Sequence, residues 1–293
     1  MKNYFLKQPQ ARFDTRSAGV FVGAACAAWV VNILGQVTFP SFNLAPYLIR
    51  TTITLIADVF LLVISLRLLQ QNKISAGALG LTLTKDIFVN LLLGLLIGTV
   101  TLALMEALFY AGEPFHFEQG RLPAMDAVKE SVSFLLGNTL EELMFRGFLL
   151  VVLSRFAGWR ISVLAMAIPF GLFHLPGLGI SVGGLKMVAT TAAYSLIFSL
   201  SFILTRSMWT AISAHVTSNM LLHTLFGLDG MQQAMFLPVH PGRGLGYRDF
   251  GSGFMVISAL TMSSLLYLTV SEKFKKESLM QDEPGAVVDS PAR

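Results

Sequence analysis

The sequence predicts an all-α protein, a polytopic membrane bundle of about eight transmembrane helices plus an amphipathic helix lying at the membrane interface. Composition is the first observation: 54% of the 293 residues are hydrophobic and only 13% are charged. Soluble domains usually carry about 25% charged residues. Because a charged side chain that faces lipid loses its hydration at a large cost, most of this chain is expected not to face water.

Long apolar runs are the second observation. A membrane-spanning helix needs roughly 20 mainly apolar residues. Backbone groups in lipid must be paired within a helix or a closed barrel, and these runs are too long and too evenly apolar for barrel strands. We therefore predict spans over residues 18–40, 50–69, 87–111, 139–158, 160–175, 186–205, 208–227 and 252–271.

The segment 121–136 has a different pattern from the spans. Its apolar residues recur at helical spacing with charged residues opposite them: Met125, Val128, Val132 and Leu135 against Asp126, Lys129 and Glu130. Pro123 suits the start of a helix. This pattern predicts an amphipathic helix in the membrane interface, which Gly137 separates from the fourth span.

The whole of residues 1–271 is predicted to form a single integral membrane domain, followed by a polar C-terminal tail over 272–293. Most Lys and Arg residues fall on the side of the two termini in this topology, so the positive-inside rule places both termini in the cytoplasm. The net charge of +4 gives no indication of a nucleic-acid partner. Cys26 stands alone, which excludes a disulfide within the chain and a cysteine-based metal site.

The first polar cluster within the spans is Glu141-Glu142-Leu-Met-Phe-Arg146. Glu142 and Arg146 are four residues apart and share a helix face, so Arg146 is expected to compensate Glu142. Glu141 is rotated about 100° away and remains available for proton transfer. The alternative is that Thr139-Leu-Glu-Glu142 is a capping box at a helix start.

Two further clusters contain histidine. Phe170-Gly-Leu-Phe-His174 ends the fifth span, and His215-Val-Thr-Ser-Asn219 places His215 and Asn219 on one face of the seventh. Each has a structural alternative, a hydrogen-bonded packing histidine for the first and a polar contact between helices for the second. Together with the acids they form a set suited to a general base, a proton shuttle and an oxyanion donor. Glu141, His174 and His215 could also bind a zinc ion, and the sequence leaves this open.

At these three clusters the sequence resembles the CAAX-protease and bacteriocin-processing (Abi) family, which includes the Ras-converting CAAX endopeptidase. Its motifs E-E-x-x-x-R, F-x-x-x-H and H-x-x-x-N occur here in order, and the resemblance covers roughly residues 125–226. The resemblance implies an intramembrane endopeptidase in which Glu141 and His174 activate a water molecule. It further implies that His215 and Asn219 stabilise the oxyanion, with Glu142, Arg146 and Phe170 in supporting positions.

The resemblance also bears on the substrate and on the location of the protein. It implies a membrane-associated peptide or protein substrate, which is prenylated for eukaryotic members of the family. Short loops and the absence of organelle signals favour a bacterial member in the cytoplasmic membrane. The alternative function is a non-proteolytic membrane protein, such as a bacteriocin immunity factor, a scaffold or a transporter. A transporter is expected to show related halves, and no such symmetry is evident in the sequence.

Overall fold

The computed structural model describes residues 14–39, 43–109, 116–175, 179–227, 234–239 and 246–282. Helices dominate these residues, which confirms the predicted all-α membrane-type bundle. The helices are α1 Thr15–Thr38, α2 Leu44–Gln71, α3 Ile87–Phe109, α4 Ala124–Arg146, α5 Phe148–Ala157, α6 Trp159–Phe173, α7 Val182–Thr205, α8 Met208–Asn219 and α9 Gly246–Asp282. A short 3-10 helix, Ala76–Leu79, lies between α2 and α3.

Among the residues that the structure describes, five helices are long and apolar enough to cross a membrane: α1, α2, α3, α7 and α9. Helix α6 is apolar but shorter, as the sequence predicted for the fifth span. The fourth and seventh predicted spans do not form uniform apolar helices, so the count of eight is not confirmed. Both spans carry residues of the polar clusters. These residues contact partners inside the bundle instead of lipid.

The boundary predicted at Gly137 is wrong. Helix α4 continues through Gly137 to Arg146, and the break falls at Gly147 instead. A Cβ atom at Gly147 would lie 2.3 Å from the carbonyl oxygen of Leu143, so the backbone can take this path only at a glycine. The predicted interfacial helix is therefore the first part of α4 rather than a separate element. Its apolar stripe faces outward as expected, with Met125 67% and Leu135 47% exposed.

Two other predicted boundaries also change. The seventh span is α-helical only to Asn219 and continues as a π-helix over Met220–Leu225. Such π segments add one residue to a turn and are frequent at functional sites. Helix α9 extends to Asp282, so the part of the predicted tail between residues 272 and 282 is helical. The rest of that tail lies outside the described residues.

Glycines bring the helices that carry the histidines into close contact with their neighbours. A Cβ atom at Gly94 or Gly98 of α3 would lie 2.4 Å or 2.8 Å from a carbonyl oxygen of α8. This close packing agrees with the Gly94-x-x-x-Gly98 spacing. A Cβ atom added at Gly171 of α6 would likewise lie 2.7 Å from the carbonyl oxygen of Val188 in α7. Larger residues at these positions would push α8 or α6 away from the core.

The two ends of the bundle differ in their connections. At one end, Met208 N donates to Gly80 O, which joins the α2–α3 connection to the α7–α8 turn. At the other end, strand β1 (His116–Gln119) pairs antiparallel with strand β2 (Phe236–Val239). Met235 N, just before β2, donates to Thr224 O of the π-helix. The β ribbon and the start of α4 therefore lie at the same end of the bundle.

Candidate active site

Glu141 faces two histidines from different helices. Its Oε2 atom lies 3.8 Å from Nε2 of His174, at the end of α6, and 3.9 Å from Nε2 of His215, in α8. These separations exceed a direct hydrogen bond, and they let one water molecule lie beside the three atoms in contact with each of them. The three side chains are partly or largely buried, with exposures of 20%, 24% and 7%. A carboxylate and two imidazole nitrogens thus converge on one small volume.

The other nitrogen of each histidine fixes the orientation of its ring. Nδ1 of His174 lies 2.9 Å from the carbonyl oxygen of Phe170, and Nδ1 of His215 lies 2.9 Å from Oε1 of Glu142. A carbonyl oxygen and a carboxylate can only accept, so Nδ1 carries the proton and donates in both rings. In the neutral tautomer this leaves each Nε2 lone pair directed toward Glu141.

Glu142 and Arg146 form the ion pair expected from their spacing. Oε1 of Glu142 lies 3.3 Å from the guanidinium of Arg146, and both side chains are fully buried. Arg146 also donates to the Ser195 hydroxyl at 2.8 Å, to the Ser195 carbonyl at 3.1 Å and to the Ser199 hydroxyl at 3.3 Å. Glu142 therefore links Arg146 to His215, and Arg146 anchors this chain of charges to α7.

Aromatic rings pack around the histidines and Arg146 of the cluster. Phe198 stacks on the ring of His215, with centroids 4.2 Å apart and planes at 19°. The guanidinium of Arg146 lies 4.4 Å from the centroid of Phe170, close enough for a cation–π contact. Phe170 also lies beside both histidines, 5.1 Å from His174 and 5.9 Å from His215 between ring centroids. The predicted supporting position of Phe170 thus contacts every basic group of the site.

Asn219 pairs with an asparagine that sequence reasoning missed. Nδ2 of Asn219 donates to Oδ1 of Asn138 at 3.1 Å. Asn138 lies one turn before Glu141 in α4 and is 3% exposed. The only sign in the sequence that Asn138 belongs to the site is its position three residues before Glu141, because its partner Asn219 lies on a distant helix. Asn138 fixes the amide of Asn219, whose second N–H stays available to another acceptor.

The capping-box alternative for Glu141 and Glu142 is wrong. Helix α4 begins at Ala124, so both acids lie in its last two turns. Thr139 is inside the helix, and its hydroxyl donates to the carbonyl of Leu135 at 2.7 Å rather than capping. Neither acid therefore caps a helix start, and their partners are the basic groups of the cluster.

His223, which follows Asn219 by four residues, stacks on Phe134 with ring centroids 5.6 Å apart.

A cavity of about 240 Å³ reaches Glu141 from the side of α1 and α2. Glu141, Asn138 and Asn219 line its inner part, and Gly137 lies on its wall. The remaining lining residues come from α1, α2 and the first part of α4: Gln36, Arg50, Thr51, Thr54, Ser133, Phe134 and Leu136. Since Gln36 is exposed, the cavity connects the site with the surface of the bundle.

The three predicted zinc ligands lie somewhat farther apart than tetrahedral zinc coordination requires. Metal–ligand bonds of about 2.1 Å at a tetrahedral angle place two ligand atoms about 3.4 Å apart. The measured Nε2–Oε2 separations of 3.8 and 3.9 Å are longer. Among the residues that the structure describes, no group of three His, Cys, Asp or Glu side chains is arranged to hold a metal ion. The zinc assignment made from the sequence therefore stays open.

The sequence clusters meet as predicted in space, although their chemical roles stay predictions. Glu141, Glu142, Arg146, His174 and His215 form one connected group, and Asn219 shares the cavity with Glu141. The fold and this site define an integral membrane protein with a buried acid–histidine centre that a cavity connects to the surface.

Comparison with known families gives a match to one segment of the chain. Residues 127–221 match the model of a family described as "Type II CAAX prenyl endopeptidase Rce1-like". The match spans all three motifs and confirms the resemblance to the CAAX-protease and bacteriocin-processing family over this segment. It supports a CAAX-protease-like enzyme. A search of curated proteins found no match to the chain.

Proposed function

We propose that this protein is an intramembrane endopeptidase that hydrolyses a peptide bond with a water molecule activated by Glu141. The observation that carries the proposal is the approach of Glu141 Oε2 to two imidazole nitrogens, 3.8 Å and 3.9 Å away, at the inner end of a cavity. A water molecule that bridges these atoms can give one proton to the carboxylate and direct its second toward His174.

The reaction then follows from the positions of these groups. The water oxygen forms a bond to the carbonyl carbon while its proton passes to Glu141, and the carbonyl oxygen becomes an oxyanion. Collapse of the tetrahedral intermediate breaks the C–N bond, and the proton held by Glu141 passes to the leaving nitrogen. His174 keeps the water oriented because its Nδ1 is fixed on the Phe170 carbonyl. The products are a new carboxyl terminus and a new amine.

His215 and Asn219 are placed to stabilise the oxyanion. Glu142 accepts from Nδ1 of His215 and so fixes the ring with its Nε2 edge toward Glu141; when Nε2 carries a proton, it can donate to the developing negative charge. The second amide N–H of Asn219 can donate beside it, since the first is held by Asn138. Donors fixed before the reaction are more effective than water, which must reorganise. The burial of the pair Glu142–Arg146 holds this arrangement in place.

The active-site cavity is proposed to open toward the extracytoplasmic face of a bacterial cytoplasmic membrane. It lies toward the end of the bundle that holds the start of α4 and the β ribbon, which is opposite the N-terminus of α1. The excess of Lys and Arg near the termini supports a cytoplasmic location for them. Single cysteines within 116–119, in a Cys26→Ser background, should react with an impermeant thiol reagent on intact cells. Labelling only after lysis contradicts this orientation.

The function is tested by incubating the purified protein in liposomes with a farnesylated CAAX peptide and with an unprenylated apolar peptide of the same sequence. We expect cleavage of at least one peptide, and in H₂¹⁸O the label should appear in the new terminal carboxyl group. If neither peptide is cut while a family endopeptidase cuts them under the same conditions, the non-proteolytic alternative is favoured.

A further inference from the structure

Arg50 is a basic residue in the cavity that the three motifs do not account for. It lies in α2, lines the same cavity as Glu141 and Asn219, and is only partly buried. We propose that Arg50 binds a carboxylate of the peptide substrate and so selects substrates by charge. This inference rests on the proposed function, because it assigns what occupies the cavity beside the reacting bond.

Local contacts hold the guanidinium of Arg50 in position without neutralising it. Arg50 donates to the Ser133 hydroxyl at 2.9 Å, and its guanidinium carbon lies 5.8 Å from the ring centroid of Tyr47. Within the described part of the chain, no carboxylate oxygen lies within 4 Å of it, and Glu130 of α4 interacts with it only at longer range. A partly desolvated guanidinium with no acid in direct contact is well suited to bind an anion.

Neighbouring acids on α4 are already engaged with other groups. Asp126 pairs with Lys129 at 2.9 Å. Glu130 accepts a hydrogen bond from the Thr224 hydroxyl at 3.2 Å. Arg50 is also the only basic residue among those that line the described cavity, and Glu141 is its only acidic one. A carboxylate from the substrate would therefore be drawn to the Arg50 part of the cavity and away from Glu141.

Helix geometry gives the distance between this position and the reacting bond. Helices α2 and α4 run in the same direction here, because Tyr47 donates to the Lys129 carbonyl and Arg50 to Ser133. Ser133 precedes Glu141 by eight residues, which corresponds to about 12 Å along the helix at about 1.5 Å per residue. An extended peptide advances about 3.4 Å per residue, so about three to four residues bridge Glu141 and Arg50.

This distance makes the C-terminal carboxylate of a peptide the simplest ligand for Arg50. A peptide cut a few residues before its end would place its scissile bond at Glu141 and its terminus at Arg50. A carboxylate on a substrate side chain has the same chemistry and could reach the same position. The two sources differ in whether the terminal carboxyl group is required.

Binding is measured with the full chain in nanodiscs of zwitterionic lipid, in a Glu141→Gln background so that no peptide is consumed. The probes are a fluorescent farnesylated CAAX peptide as the free acid, its C-terminal amide, and an amide that ends in Glu. We expect the free acid to bind about 10- to 100-fold more tightly than the plain amide. The amide ending in Glu will match the free acid only if a side-chain carboxylate suffices.

Arg50→Gln should remove the preference for the acid, because glutamine is polar but carries no charge. Arg50→Lys should retain part of it. Arg67→Gln is the matched control, an exposed arginine near the other end of α2, and should leave the preference unchanged. Equal binding of acid and plain amide, or an equal loss for both peptides in Arg50→Gln, overturns the proposal. Cleavage by the wild-type chain is measured separately. A preference for the acid without cleavage contradicts only the proposed peptidase activity. Cleavage without a preference for the acid contradicts only the role of Arg50.

Discussion

Replacement of Arg146 tests whether the buried ion pair holds the site together. Arg146→Met keeps much of the side-chain volume but leaves Glu142 buried without its cationic partner, and both residues are 0% exposed. Removing one member of a buried pair costs about 3–5 kcal/mol. Three further hydrogen bonds, to Ser195 and Ser199, are lost as well. The variant should therefore shift the unfolding equilibrium by about two to four orders of magnitude.

The assay is reversible unfolding in mixed detergent micelles, with Arg155→Met as control. Arg155 is a partly buried arginine at the end of α5, and its loss should cost less than about 1 kcal/mol. The double variant Glu142→Gln/Arg146→Met should be less destabilised than the sum of the two single variants, because each removes the same pair. A free energy of unfolding for Arg146→Met equal to that of the Arg155 control refutes the reasoning.

Three more predictions concern the cavity and the site. Gly137→Leu should fold normally, since no atom lies within 4 Å of an added Cβ, yet it should lower kcat/KM at least about tenfold by filling the cavity. The control Gly19→Leu, at an equally open position of α1, should leave kcat/KM unchanged. His174→Ala and His215→Ala should each lose most activity, and the double variant should lose little more; a loss equal to the product of the single losses would show independent roles. Chelator treatment should leave cleavage intact, with no stoichiometric metal by elemental analysis; a loss that zinc restores contradicts the metal-independent chemistry.

Local spacing was sufficient to predict part of the site. Glu142 and Arg146 are four residues apart within one helix, so their contact follows from helix geometry alone. The convergence of His174 and His215 on Glu141 could be expected only because three polar clusters lay inside apolar runs, where ionisable groups need partners.

Contacts between distant segments could not be predicted in this way. Asn138, Ser195 and Arg50 are ordinary polar residues in the sequence, and their roles appear only when other helices pack beside them. Nothing in a single sequence indicates which of many serines will face a buried arginine.

Helix boundaries show a similar limit. Gly137 and Gly147 carry the same local signal, but the helix continues through Gly137, where an added Cβ would meet open space, whereas the backbone breaks at Gly147. The change to a π-helix after Asn219 adds one residue to a turn, and hydrophobic periodicity does not record so small a shift.

The most direct test of the account is the single-turnover cleavage rate of Glu141→Gln in liposomes. Glutamine keeps the volume of Glu141 but cannot accept the proton of water, so we expect the rate to fall about 10²- to 10⁴-fold while the unfolding transition stays unchanged. Glu118→Gln, at an exposed glutamate of the β ribbon, is the matched control and should cleave at the wild-type rate. Cleavage by Glu141→Gln at the rate of that control would contradict the assignment of Glu141 as the base.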